Sequence, residues 1–269
     1  MRLSQSFARS LVLSCLAVAI AAGAALAEKF EPRVGQPGKD VVWVPSPQAL
    51  VDRMLDIAKL KPGETLIDLG SGDGRTVITA AQRGATAIGV EYNPNMVALS
   101  RENAKKAGVA DRVTFIEGDL FQADLSKADV ITLFLLPDIN LRLRPKLLDL
   151  KPGTRIVSNS FDMGDWTPDQ TIQAGGECTS WCRAHLWIVP AKVAGSWKLP
   201  DGGELTLEQK YQMISGTLRS GAVNMNISSG KVIGDQITFT AGTMHYTGRV
   251  SGNEIEGIAQ TSNAWRATR

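Results

Sequence analysis

Glu64-Thr65-Leu66-Ile67-Asp68-Leu69-Gly70-Ser71-Gly72-Asp73-Gly74-Arg75 is the stretch from which the fold can be read. Leu66 to Leu69 is an apolar run of strand length. Three glycines then alternate with small or polar residues, and a segment of helical character begins at Thr76. Strand, glycine turn and helix open a mononucleotide-binding βαβ unit, where a backbone without Cβ atoms lets a ligand approach closely. Two details speak against a dinucleotide. The dinucleotide pattern has a third small residue at its sixth position, where this chain has Arg75. Asp68 also places a carboxylate beside the site a pyrophosphate would occupy, and like charges repel. A ligand with an ammonium and a sulfonium group but no phosphate suits that acid, and S-adenosylmethionine (SAM) is such a ligand. A lone glycine loop also serves as a tight structural turn, so the residues downstream must decide.

Downstream, the pattern alternates. Ser46 and Pro47 supply an N-cap and first-turn proline for a helix carrying Leu50, Met54 and Ile57, and Lys61-Pro62-Gly63 ends it with type II turn chemistry. Thr76 to Arg83 reads as a helix and Thr86 to Val90 as a strand. Asn93-Pro94 caps a helix that stops at Gly108, and Val113 to Ile116 and Val130 to Leu136 read as strands. Lys151-Pro152-Gly153 introduces another strand at Ile156-Val157. Thr171 to Ala174 and His185 to Val189 read as paired strands around a Gly- and Cys-containing loop. The βαβα order implies a parallel sheet with helices on both faces. The expected class is α/β, and antiparallel strands closing a parallel sheet are what a Rossmann-like class I methyltransferase sheet has.

From Gly195 the texture changes. Leu205, Leu207, Tyr211 and Met213 keep period-2 spacing, as do Ile237 with Phe239 and Met244 with Tyr246. Glycine turns are read at Asp201-Gly202-Gly203, Ser229-Gly230, Gly234-Asp235 and Ser251-Gly252-Asn253. Short strands at this spacing predict a small antiparallel β-rich C-terminal domain, a meander or partial barrel. The expected organisation is a leader at 1–27, an extended arm at 28–44, a SAM-dependent domain at 45–192 and the β-rich domain at 193–269.

The leader rests on Arg2 and Arg9, an apolar core from Leu11 to Ala22, and Ala25-Leu26-Ala27 as a small-residue cleavage site, which together read as a secretory signal peptide. An uncleaved membrane anchor is the alternative; with the leader removed, no stable membrane span is expected. The expected location is therefore export, as to a periplasm. The 269-residue chain carries 29 basic and 27 acidic residues, and loss of Arg2 and Arg9 makes them equal. That balance gives no electrostatic case for nucleic acid. Cys178 and Cys182 remain, and their spacing in an exported chain reads as a short local disulfide. His185 is the only nearby histidine, so no metal is expected.

Ligands of parallel sheets bind at the carboxyl ends of the strands. There, Asp68 with Gly70, Ser71 and Gly72 would face the methionine part of SAM. Glu91 would accept the ribose hydroxyls, and Asp119 with Leu120 would meet the adenine amino group. Glu91 or Asp119 taken singly also reads as a solvated loop acid, but three acids after three successive strands point to one ligand. The fourth strand end, Leu133-Phe134-Leu135-Leu136-Pro137-Asp138-Ile139-Asn140, would face the acceptor. Asp138 or Asn140 could orient an amine and Phe134 could face its cation; packing or capping is the alternative for each.

Val44-Pro45-Ser46-Pro47, Asp68 to Arg75, Gly89-Val90-Glu91-Tyr92-Asn93-Pro94, Gly118-Asp119-Leu120-Phe121 and Leu135-Leu136-Pro137 together resemble one family. It is the class I protein-lysine methyltransferases that include archaeal broad-specificity enzymes and the mitochondrial ATP-synthase c-subunit lysine methyltransferases. The resemblance covers roughly residues 40 to 190. It implies the fold, SAM as cofactor and a protein lysine side chain as acceptor. The leader and the β-rich domain depart from that family. A small-molecule methyltransferase and a catalytically silent exported binding protein therefore stand as alternatives.

Overall fold

The computed structural model describes residues 30–176, 178–260 and 263–269. The leader at 1–27 and the first two residues of the arm lie outside them. Among the described residues, no helix is long and apolar enough to cross a membrane.

The α/β part runs α1 (Gln48–Ile57), β1 (Thr65–Leu69), α2 (Arg75–Gln82), β2 (Thr86–Glu91), α3 (Pro94–Lys106), β3 (Val113–Glu117), β4 (Val130–Leu133), α4 (Pro137–Leu148), β5 (Arg155–Asn159), β6 (Gln170–Gln173) and β7 (Arg183–Ile188). These form a seven-stranded sheet in the order β3-β2-β1-β4-β5-β7-β6. The first five strands are parallel, and β7 pairs antiparallel with both β5 and β6. Alternation along each strand decides which face a residue serves. Leu66, Val130 and Val157 share a core with α1, α2 and α3. Their neighbours Ile67, Ile131 and Ile156 share the opposite core with Ile139, Leu143 and Leu147 of α4.

Two local expectations change. Pro47, not Ser46, is the N-cap of α1, and the Ser46 hydroxyl accepts from Asn159 Nδ2 at 3.0 Å instead. β4 ends at Leu133 rather than Leu136, because Pro137 opens α4 and the residue before a proline disfavours helical backbone, leaving 134–136 as an extended connector. That early exit brings Phe134 to the sheet's carboxyl edge.

The C-terminal strands are β8 (Gly195–Lys198), β9 (Glu204–Lys210), β10 (Met213–Ser220), β11 (Val223–Ile233), β12 (Gln236–Ala241), β13 (Met244–Ser251), β14 (Glu254–Ala259) and β15 (Asn263–Thr268). They close into an eight-stranded antiparallel barrel through β15-β8-β9. Its interior is filled by inward side chains such as Trp197, Leu205, Leu207, Ile237, Phe239 and Ile255. Closure removes the sheet edges that a partial barrel would leave exposed. Ser229-Gly230 is not a turn. It lies within β11, where the register shifts against both β10 and β12, and Ser229 has φ 51°. This is a β-bulge, and a Cβ at Gly230 would stand 2.3 Å from the Ile214 carbonyl oxygen.

Tyr211 and Met213 leave the period-2 pattern as well. Met213 is exposed, and Tyr211 sits at the β9–β10 turn with φ 55°. Docking takes precedence there. The Tyr211 hydroxyl donates to Asp165 at 2.8 Å, and its ring stacks on Trp166 at a centroid distance of 5.9 Å. Gln212 Nε2 donates to the Thr167 carbonyl at 2.6 Å, and Lys231 pairs with Asp169 at 3.0 Å. The barrel thereby grips residues 165–169, the segment leading into β6.

Candidate functional site

A cavity of about 490 Å3 opens at the carboxyl edge of the parallel strands. Its walls include Asp68, Gly72, Glu91, Asp119, Leu120 and Phe134. Gly70 and Ser71 also line it. The arm from Gln36 to Val44 forms the remaining side, with Trp43 against the glycine loop.

The loop's backbone donors are already engaged. Gly70 and Ser71 N–H both donate to the Val90 carbonyl at 2.9 and 3.1 Å, and Gly74 N–H donates to Ser71 O at 2.9 Å. Gly72 N–H donates to Glu91 Oε2 at 3.0 Å. A pyrophosphate needs such N–H groups free, so this loop is not shaped as a phosphate cradle. Glycine is required for close approach: Gly72 has φ 54°, and a Cβ there would stand 2.7 Å from Trp43 Nε1. Arg75, the residue that breaks the dinucleotide pattern, pairs with Asp73 at 2.6 Å and donates to the Ser46 carbonyl at 2.8 Å. Its charge fastens the loop to the chain before α1.

Asp68 is 7% exposed. Burial pushes its carboxyl up to about 7, and repulsion from Asp73 and Glu91 adds to that, while a 2.6 Å hydrogen bond from the Thr132 hydroxyl works the other way. A cationic ligand group beside it would restore the carboxylate. The Ser71 hydroxyl is buried, with no hydrogen-bond partner among the described residues. Each Glu91 oxygen takes one backbone donor, Gly72 N–H or Asn93 N–H, which fixes the carboxylate and leaves lone pairs for hydroxyl groups. Asp119 accepts from Phe121 N–H at 2.9 Å and pairs with Lys39 of the arm at 2.6 Å. The lysine and the amide hold its carboxyl below the usual range. Leu120 opens the short 3-10 helix Leu120–Gln122 beneath it. Acids and glycine loop fit SAM: a buried acid with a raised pKa for the ammonium, a fixed carboxylate for the ribose, and no phosphate seat.

The other end is aromatic. Phe134, Phe161 and Trp181 line the cavity, with ring centroids 5.6 to 6.2 Å apart. Phe161 and Trp181 escape sequence reading because they follow β5 and sit between β6 and β7, far from any motif; the one signal is a tryptophan directly before Cys182. Trp43 and Lys39 escape it too, hidden in an arm whose composition looks merely extended. Asn140 is buried, and its Nδ2 donates to the Asp162 carbonyl at 3.1 Å and to the Phe161 carbonyl at 3.4 Å. It thus holds the segment that presents the Phe161 ring. Asp138 is exposed in the first turn of α4 and is not among the cavity-lining residues. The structure therefore brings Phe134 to the cavity wall, puts Asn140 behind it and leaves Asp138 on the surface. Cys178 and Cys182 are disulfide-bonded.

Known proteins match the same outline. The family described as the ANTKMT methyltransferase domain matches residues 68–170. A protein-lysine N-methyltransferase of Saccharolobus islandicus is 43% identical over 136 residues, 49% of this chain and 84% of that protein. The ATP-synthase c-subunit lysine N-methyltransferase of Mus musculus is 36% identical over 134 residues; the match covers 49% of this chain and 54% of the mouse protein. Among solved structures, one described as an RNA methyltransferase from Salinibacter ruber, in complex with S-adenosyl-L-homocysteine, is 48% identical. It covers 56% of this chain and 96% of its own, with a TM-score of 0.52. The barrel lies outside the matched family region, which ends at residue 170. The glycine loop without a phosphate seat, the acids after successive strands and the archaeal match over most of its length agree: the chain belongs to the protein-lysine N-methyltransferase family of class I SAM-dependent methyltransferases.

Proposed function

We propose that this enzyme methylates the ε-amine of lysine in protein substrates, with Asp68, Gly70, Ser71, Gly72, Glu91, Asp119 and Leu120 forming the cofactor end and Phe134 the acceptor end. The observation that carries this reading is a single cavity that joins an acidic, glycine-lined end to a wall of three aromatic rings. When bound, SAM supplies a methyl group on a positively charged sulfur, and transfer is a direct displacement. The chain's part is then alignment and exclusion of water. Glu91 and Asp68 would fix the cofactor's two ends, and Phe134 with its neighbours would pack along the methylene stem of a lysine. Aromatic faces accept an alkylammonium, and an apolar wall favours loss of its proton to solvent before transfer. Asn140 acts as a positioning residue through Phe161.

The relatives named for lysine support this acceptor. The name of the Salinibacter protein points to RNA, which is the rival. Against it, the cavity-lining cations Lys39 and Arg75 are each paired with a carboxylate, and the chain's charges nearly balance. Phosphate neutralisation needs cations to spare. We also propose export: the leader pattern at 1–27 supports it, as does the Cys178–Cys182 disulfide, a bond that persists in oxidising compartments.

The test is methyl transfer from labelled SAM to cell-envelope proteins, cytosolic proteins, total RNA and small amines in parallel. Label recovered as N-methyl-lysine from protein is the expected result. Label in RNA alone, or in small amines alone, would replace the lysine reading.

A further inference from the structure

Two of the three rings in the acceptor wall are carried by the parallel strands, Phe134 after β4 and Phe161 after β5. Trp181 is not. It stands on the loop between β6 and β7, is 43% exposed, and has φ 55°, a left-handed conformation costly for a bulky residue. The Cys178–Cys182 bridge spans it, with the Cα atoms 5.8 Å apart. Cys182 is buried in the core beside β7, and its carbonyl accepts from Ala174 N–H at 2.7 Å. The crosslink therefore ties the loop bearing Trp181 to the edge of the sheet. In that position the indole lies 5.6 Å from the Phe134 ring and 5.7 Å from the Phe161 ring and completes the cavity wall. A bridge closing so short a loop adds little to global stability, so its effect is local order.

We infer that Trp181 is a specificity-determining residue for the methyl acceptor, and that the Cys178–Cys182 disulfide is the device that positions it. The inference rests on the lysine-methylation reading. Its physical content is that an indole offers a cation the best face of any side chain, and here that ring lines the cavity from a partly exposed loop. Removing the indole, or freeing its loop, should cost acceptor affinity and spare the cofactor end.

The experiment compares wild type, Trp181→Ala, Trp181→Phe and the pair Cys178→Ser/Cys182→Ser. Acceptor KM, kcat and S-adenosylhomocysteine affinity are measured for each. Trp181→Ala and the serine pair should each raise acceptor KM by about 3- to 30-fold. S-adenosylhomocysteine affinity should stay unchanged, which also reports that the variants fold. Trp181→Phe should recover most of the loss. Adding Trp181→Ala to the serine pair should have no further effect, because both remove one wall.

A second readout is independent of turnover. In protein labelled with fluorotryptophan, the Trp181 resonance, identified by its absence in Trp181→Phe, should shift when a lysine peptide is added with S-adenosylhomocysteine. An unchanged acceptor KM in Trp181→Ala, or an unshifted resonance, overturns the role of Trp181. An unchanged KM in the serine pair overturns the role of the disulfide. A shifted resonance in a protein that methylates no lysine keeps Trp181 as a contact for the lysine side chain and sinks the lysine-methylation reading. Lysine methylation indifferent to Trp181 does the reverse.

Discussion

In the site proposed here, the cofactor end of the cavity is assembled from consecutive strand ends, with Asp68 in β1, Glu91 closing β2 and Asp119 just after β3. The acceptor end gathers Phe134, Phe161 and Trp181 from segments spread over nearly fifty residues. The first is polar, with its groups held by backbone donors and by Lys39. The second is apolar, with its rings held by one another, by Asn140 and by a disulfide. This difference shows how the two tasks are divided. A sulfonium cofactor is recognised by a few charges that must stand in fixed places, so it leaves a motif. An acceptor side chain is recognised by shape and face, which many arrangements of rings supply.

If the division is real, the two ends should break separately. The largest effect is expected for Glu91→Ala, which removes a contact present in ground and transition states alike. Hydrogen bonds to a charged group are worth about 1.5–3 kcal/mol, so the KM for SAM should rise about 10- to 100-fold at nearly constant kcat. Steady-state kinetics at varied SAM checks this, and a fall in kcat alone would blur the line between the ends. Phe134→Ala should do the opposite. It should raise acceptor KM about 3- to 30-fold and leave S-adenosylhomocysteine affinity unaltered by calorimetry. Asp138→Ala is the smallest. An acid in the first turn of an exposed helix end contributes about 0.3–1 kcal/mol, visible in thermal unfolding, and SAM affinity should not move. A marked loss of turnover in that variant would bring Asp138 into the acceptor end in the catalytic complex.

The same contrast explains what the sequence made legible. The glycine loop, the order of strands and helices, and the three acids could be read because each depends on local chemistry: a backbone without Cβ, a period, a strand end. Trp181 could not: the crosslink and the pairing of β6 with β7 are both readable, but neither says that the loop between them turns its indole toward Phe134 and Phe161. Ser46 and Tyr211 show the second reason. Each carries a good local signal, an N-cap and a strand period, and each is diverted by a tertiary partner, Asn159 in one case and Asp165 with Trp166 in the other. The bulge at Ser229-Gly230 reads as a turn for a related cause: glycine marks the need for an unusual backbone, and pairing on both sides decides which.

Asp68 is the buried acid of the cofactor end, and its proton is the quantity to measure. Its carboxyl is raised from 3.8 to about 7 in the folded chain. The folded state therefore holds this proton more tightly than the unfolded state does. The stabilisation, on the order of 4 kcal/mol, is complete below about pH 4 and is lost as pH rises through about 7. Cofactor binding should run the other way, because the ammonium of SAM prefers the carboxylate. The direct measurement is calorimetric titration of S-adenosylhomocysteine between about pH 5.5 and 8.5, in buffers of differing ionisation enthalpy. Affinity should rise with pH by up to about tenfold per unit below 7, with close to one proton released per ligand bound near pH 6. Both effects should vanish in Asp68→Asn. Binding without proton release and flat across that range, or saturable binding of NAD in place of S-adenosylhomocysteine, would contradict the account.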